Sequence, residues 1–116
     1  MAQQEQQLDI VKVGDIFVST WGYDMVIVDF YEVTAMSASG KTVTVRKIGG
    51  AITEGEPLSP QGANVVPAPH DFIGEPFRRR LRYDGSAPSF RVNDCSHAYL
   101  ATEHELTHGV YECEWD

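Results

Sequence analysis

The stretch from Met25 to Ile48 limits the possible folds more than any other part of the chain. It reads MVIVDFYEVTAM, then SASGK, then TVTVRKI. Successive side chains of an extended chain point to opposite sides. In the first run this puts Val26, Val28, Phe30, Glu32 and Thr34 on one side, and Ile27, Asp29, Tyr31, Val33 and Ala35 on the other. Both sides begin apolar, the pattern of a strand covered on both faces. In the second run Val43 and Val45 alternate with Thr42, Thr44 and Arg46, a period-2 pattern rich in β-branched residues. Small residues and Gly40 join the two, so residues 25–48 are predicted to form a β-hairpin.

The rest of the chain extends this theme. Val13 to Val18 reads as a turn feeding a first strand at 15–19, and Trp21-Gly22-Tyr23-Asp24 as a turn or short loop. Residues 49–75 contain Pro57, Pro60, Pro67 and Pro69. Proline lacks the N–H that a central strand or helix interior needs, so this part is predicted irregular, with one short strand at Asn64-Val65-Val66. In Phe77 to Tyr83, Phe77, Arg79, Leu81 and Tyr83 alternate with Arg78, Arg80 and Arg82, giving a strand with one basic face. A turn at 84–88 returns the chain through Ser89 to Asn93. Thr102 is placed to cap a turn or two of helix at Glu103 to Leu106, and Val110 to Trp115 alternates as a closing strand. The expected fold is mainly β: a small, strongly bent antiparallel sheet or SH3-like barrel, with at most one short C-terminal helix. With 116 residues the chain suits one domain, read as a flexible, Gln-rich leader over 1–9 and a single β domain over 10–116.

Charge narrows the function classes. Seventeen acids oppose nine Lys and Arg, a formal charge of -8. Such a balance argues against a general nucleic-acid coat or a binder of anionic membranes. The charges are segregated: residues 1–40 carry -5, residues 41–93 carry +3, and residues 94–116 carry -6 without a single Lys or Arg. Internal compensation, acidic ends over a basic middle, accounts for this without any partner. A partner reading takes two forms: arginines contacting a phosphate backbone, or acidic ends presented to a basic protein surface. No apolar run approaches the ~18 residues of a membrane span, and the N-terminus lacks the basic and apolar regions of a secretory signal. The expectation is a cytoplasmic protein with reduced thiols.

Chemistry-bearing patterns are sparse. Cys95, His97, His104, His108 and Cys113 are residue types that hold zinc, but their spacing is not that of a finger and no CxxC pair accompanies them. Surface histidines and two buried thiols packed as small hydrophobes explain them better, and no metal or other cofactor is expected. There is no GxSxG elbow and no phosphate-cradling glycine loop. Asp24 and Asp29 lack an acid–base partner, so the chain is expected not to be an enzyme. Trp21, Tyr23, Phe30 and Tyr31 form an aromatic set. Phe30 fits a core position, whereas Trp21 and Tyr23, at a glycine-containing turn, are candidate contacts.

The segment VGDIFVSTWGYDMVIVDFYEVTAMSASGKTVTVRKI resembles a group of small proteins of bacteriophages and mobile elements that share a GDIF–SxWGYD–xxxDFYxV–KTVTVR pattern. Later stretches are similar too: Val66-Pro67, the run Gly74 to Arg80, and an aromatic near Trp115. The resemblance implies context, a phage accessory protein, and carries over no catalytic residue. The leading expectation is a protein that binds and inhibits a host defence or nucleic-acid-processing complex in the manner of anti-CRISPR proteins, its acidic surface competing with nucleic acid. The partner would be a host protein or ribonucleoprotein complex in the bacterial cytoplasm. The contact residues would be Asp24, Asp29, Glu32, Glu103, Glu105, Glu112 and Glu114, with Trp21 and Tyr23 as anchors. The alternatives are a nucleic-acid-binding β-barrel module using Arg78, Arg80 and Arg82, and a self-associating phage structural or assembly protein.

Overall fold

The computed structural model describes residues 11–22, 26–56, 62–83, 87–93 and 96–113. They form one antiparallel sheet with a single short helix. In chain order the elements are β1 (Ile16–Trp21), β2 (Ile27–Met36), β3 (Thr42–Glu56), β4 (Gly62–Phe72), β5 (Phe77–Arg80), β6 (Ser89–Asn93), β7 (Ser96–Leu100), α1 (Glu103–His108) and β8 (Val110–Glu112). The sheet order is β6-β7-β1-β2-β3-β4-β8, with β5 also paired to β3. No described helix is long and apolar enough to cross a membrane.

The expected hairpin is β2–β3. Its turn closes through Ser37 N–H donating to Thr42 O (2.9 Å) and Gly40 N–H donating to Ser37 O (3.0 Å). Gly40 sits at φ +76°, a conformation that costs a side chain-bearing residue about 1–2 kcal/mol. Register slips between Val33 and Ala35, where Thr34 is the extra residue and its hydroxyl donates to Thr44 O. Such a bulge sharpens the local bend.

The bends let the pairing return on itself twice. β1 pairs with β2, β2 with β3, β3 with β5, and β7 with both β1 and β6. The backbone bridge Arg82↔Ser89 then joins the β5 and β6 ends of the path, giving a six-stranded ring. Its interior holds Val11, Phe17, Tyr31, Val33, Val43, Val45, Leu81, Phe90 and Ala98. Phe90 is the aromatic hub, with its ring centroid 5.0 Å from Phe17 and 5.9 Å from Tyr31.

On the opposite face of β1–β2–β3 lies a second cluster: Ile16, Val18, Val28, Phe30, Ile48 and Val65. β4 and β8 cover it, and the bridge Val26↔Cys113 ties β8 back to the start of β2. This explains the two-sided apolar pattern of β2: each of its faces lines a different core. Each closure also leaves fewer open strand edges.

The proline-rich stretch departs from expectation. β3 runs on to Glu56, and β4 contains both Pro67 and Pro69; Pro57 and Pro60 lie outside the described residues. The prolines are tolerated because β8 pairs only with Ala63 to Val65, so the outer edge of β4 at Pro67 and Pro69 has no ladder to feed. Between Gly50↔Pro67 and Ile48↔Phe72 the register slips, and Ala68 to Asp71 bulge out. The short strand expected at Asn64 to Val66 is the part of β4 that β3 and β8 flank.

Candidate functional site

On β5, Phe77 and Arg79 are half-buried, while Arg78 and Arg80 are exposed. The half-buried pair is structural. Apart from Arg82↔Ser89, the joint between β5 and β6 is made by the Arg79 side chain. Its Nε donates to Arg91 O (2.9 Å), Nη2 to Val92 O (3.1 Å) and Nη1 to Arg78 O (2.8 Å), and its guanidinium lies 4.7 Å from the Phe77 ring centroid. One guanidinium thus replaces missing ladder bonds.

The other arginines face solvent. Arg78 and Arg80 share the outer side of β5; Arg82 continues it, and Arg91 projects from neighbouring β6. Arg79, Arg80, Arg82 and Arg91 surround a shallow hollow of about 430 Å³ floored by Leu81. The charged pairs Lys12–Asp15, Lys47–Asp29 and His70–Glu32 lie elsewhere, and among the described residues Arg78, Arg80 and Arg82 have no acidic partner. The basic strand face read from the sequence is therefore present, and Arg91 adds to it. The signal for Arg91 was its alternation with Phe90 and Val92, which turn inward.

Among the described residues the expected acidic contact set does not assemble as one surface. Glu32 is buried at 3% exposure, a correction to its reading as a contact acid. Its Oε1 accepts the His70 backbone N–H (2.7 Å), and its Oε2 lies 2.8 Å from His70 Nδ1. Glu112 is likewise buried and corrected: its Oε2 accepts the Val28 N–H (3.1 Å). Val28 precedes the point where β3 joins β2 at Phe30↔Ile48, so this carboxylate serves an amide that the β2–β3 ladder does not reach. Both burials follow one rule, that an inward carboxylate is tolerated when amide donors satisfy it. Glu105 closes the α1 capping box: Thr102 N–H donates to its Oε1 (2.8 Å), and its own N–H donates to Thr102 Oγ1 (3.1 Å). Glu103 is exposed in the first turn of α1. Tyr23, Asp24 and Glu114 lie outside the described residues.

Trp21 and Asp29 do come together. Trp21 ends β1 rather than opening a turn, and it is 48% exposed. Its Nε1 donates to Asp29 Oδ2 (2.7 Å), and Lys47 Nζ sits 3.2 Å from Asp29 Oδ1. With Tyr31, Val92, Asn93 and Ser96 these residues line an open hollow of about 620 Å³. Because they come from β1, β2, β3, β6 and β7, the hollow is the mouth of the six-stranded ring. The Tyr31 phenol is pushed up to about 12, first by burial and then by the Asp29 charge. Lys47 escaped the sequence reading because its role depends on its register opposite Tyr31.

Compared with known proteins, the chain matches no family model, no curated protein and no solved structure. The histidines do not gather around a common point: the His104 and His108 rings stack at 4.5 Å on α1, and His97 lies on β7. Cys113 bridges Val26, and Cys95 is outside the described residues. Among the described residues no three His, Cys, Asp or Glu side chains are placed to share a metal ion.

Proposed function

We propose that this chain is a non-catalytic nucleic-acid-binding module that grips phosphate groups with Arg78, Arg80 and Arg82 on and beside β5, assisted by Arg91 on β6. The observation that carries this reading is that Arg78, Arg80 and Arg82 have no acidic partner among the described residues, in a chain whose acids outnumber its bases by eight. With so many carboxylates available, internal pairing would be simple to encode; three guanidinium groups are nevertheless left to solvent. Guanidinium forks match phosphate oxygens in shape and charge, and their weaker hydration makes release of water less costly than for lysine. The surplus of acids elsewhere would confine contact to this face by repelling a polyanion from the rest of the surface. The phage-like sequence pattern suits an accessory protein working on nucleic acid in an infected cell.

The reading is tested by fluorescence anisotropy with labelled oligonucleotides at low salt. Binding should weaken at least tenfold in Arg78→Glu/Arg80→Glu/Arg82→Glu. Binding that ignores these changes would rule out the arginine face.

The second reading, inhibition of a host nucleic-acid-handling complex through acidic residues, keeps support from the C-terminal stretch 94–116, which has six acids and no Lys or Arg. It now rests on Glu103 and its unburied neighbours rather than on Glu32 or Glu112. Pull-down from a bacterial lysate treated with nuclease separates the two: a stoichiometric protein partner lost on Glu103→Lys would favour inhibition.

A further inference from the structure

We infer that the mouth of the six-stranded ring is a stacking site for an unpaired nucleobase, with Trp21 as its platform, so that the ligand of this module is single-stranded. The inference rests on the phosphate-binding reading above and specifies its substrate. Three observations carry it. The indole is exposed yet not free to rotate: its Nε1 is fixed by Asp29, which Lys47 holds in turn. A preoriented aromatic face loses little entropy on stacking. The ion pair also neutralises Asp29, so the mouth does not present a lone carboxylate to an approaching nucleotide.

Next, the mouth combines that face with polar side chains. Tyr31, Asn93 and Ser96 line a hollow of about 620 Å³, a size suited to a small planar group.

Finally, the mouth and the arginine face are joined through β6. Arg91 belongs to the basic hollow, while Val92 and Asn93 line the mouth. A strand whose phosphates lie against Arg80, Arg82 and Arg91 can therefore turn a base toward Trp21. A duplex keeps its bases stacked inside and has none to offer. Charged grooves beside aromatic platforms are the common means of holding single strands.

The test compares three labelled probes of equal length: single-stranded oligo-dT, the corresponding duplex, and an abasic strand with the same phosphate charge. The chain should prefer oligo-dT over the abasic strand and the duplex by about tenfold, in keeping with the stacking energy of one or two bases. Trp21→Ala should erase that preference while leaving the weaker abasic binding in place, and Trp21→Phe should restore part of it. In Trp115→Phe protein, oligo-dT should quench the remaining Trp21 fluorescence, and the abasic strand should not. Equal binding of oligo-dT and abasic strand by the wild-type chain overturns the stacking site and leaves the arginine reading intact. Absence of binding to all three probes overturns both.

Discussion

His70 shows how much one residue holds in this molecule. It is the non-glycine residue with positive φ (+68°) among the described residues, and it stands at the apex of the β4 bulge. Its backbone N–H and Nδ1 both meet the buried Glu32 carboxylate, so one strained residue satisfies one inward charge. The left-handed backbone costs an ordinary residue about 1–2 kcal/mol, and the contact to Glu32 offsets it. His70→Gly keeps the amide donor and removes the strain; His70→Ala keeps both the amide and the strain. Urea unfolding should therefore find His70→Ala less stable than His70→Gly, and the reverse order would show that the bulge carries no strain. Tyr31 supplies a second residue-scale prediction. Its phenol is raised from 10.0 to about 12 in the folded chain. A raised acid stabilises fully below the unfolded value and loses that contribution as pH rises from 10 through about 12. By pH 11 the loss amounts to about 1.4 kcal/mol. Tyr31→Phe should reduce the fall in stability between pH 9 and pH 11 by about that amount, measured by denaturant unfolding at both pH values.

At the scale of elements, β5 shows why chemically identical residues differ in consequence. Arg78, Arg79 and Arg80 are adjacent, yet Arg79 stitches β5 to β6 through two β6 carbonyls while its neighbours project outward. Arg79→Ala should cost about 1–3 kcal/mol on unfolding, from lost charge-assisted bonds and stem packing. Arg78→Ala and Arg80→Ala should stay within about 0.5 kcal/mol of wild type. Equal costs at all three would contradict the assigned roles. Much at this scale was legible in the sequence. The alternation of residues 25–48 specified the hairpin, Thr102 marked a helix start, and the Phe77 to Leu81 pattern sorted inward from outward residues, although Tyr83 beyond it is exposed. Beyond Asn64 to Val66 the β4 strand was not legible, because proline is read by its missing N–H, and only the assembled sheet reveals which edge needs none. The inward turn of Glu32 and Glu112 was hidden for a related reason: their partners, the His70 and Val28 amides, are 38 and 84 residues away in the chain.

For the whole molecule, the two closures divide labour. The ring around Phe90 carries the arginine face on its outside and Trp21 at its mouth, while the smaller closure through β8 buries the second core. The charge map read from the sequence keeps its basic middle in space: Arg78 and Arg80 on β5, Arg82 just beyond it and Arg91 on β6 lie together. Among the described residues the acids are dispersed, since Glu32 and Glu112 are internal and Asp29 is bound to Lys47. This arrangement makes the basic face the central functional claim, and its most direct test is the salt dependence of oligonucleotide binding. With three arginines each neutralising one phosphate, the logarithm of the affinity for a single strand should fall against the logarithm of salt concentration with a slope of about -2. The slope should shrink toward zero when Arg78, Arg80 and Arg82 are replaced by glutamine. Binding that is absent at low salt, or whose slope is unchanged by those replacements, would contradict the account.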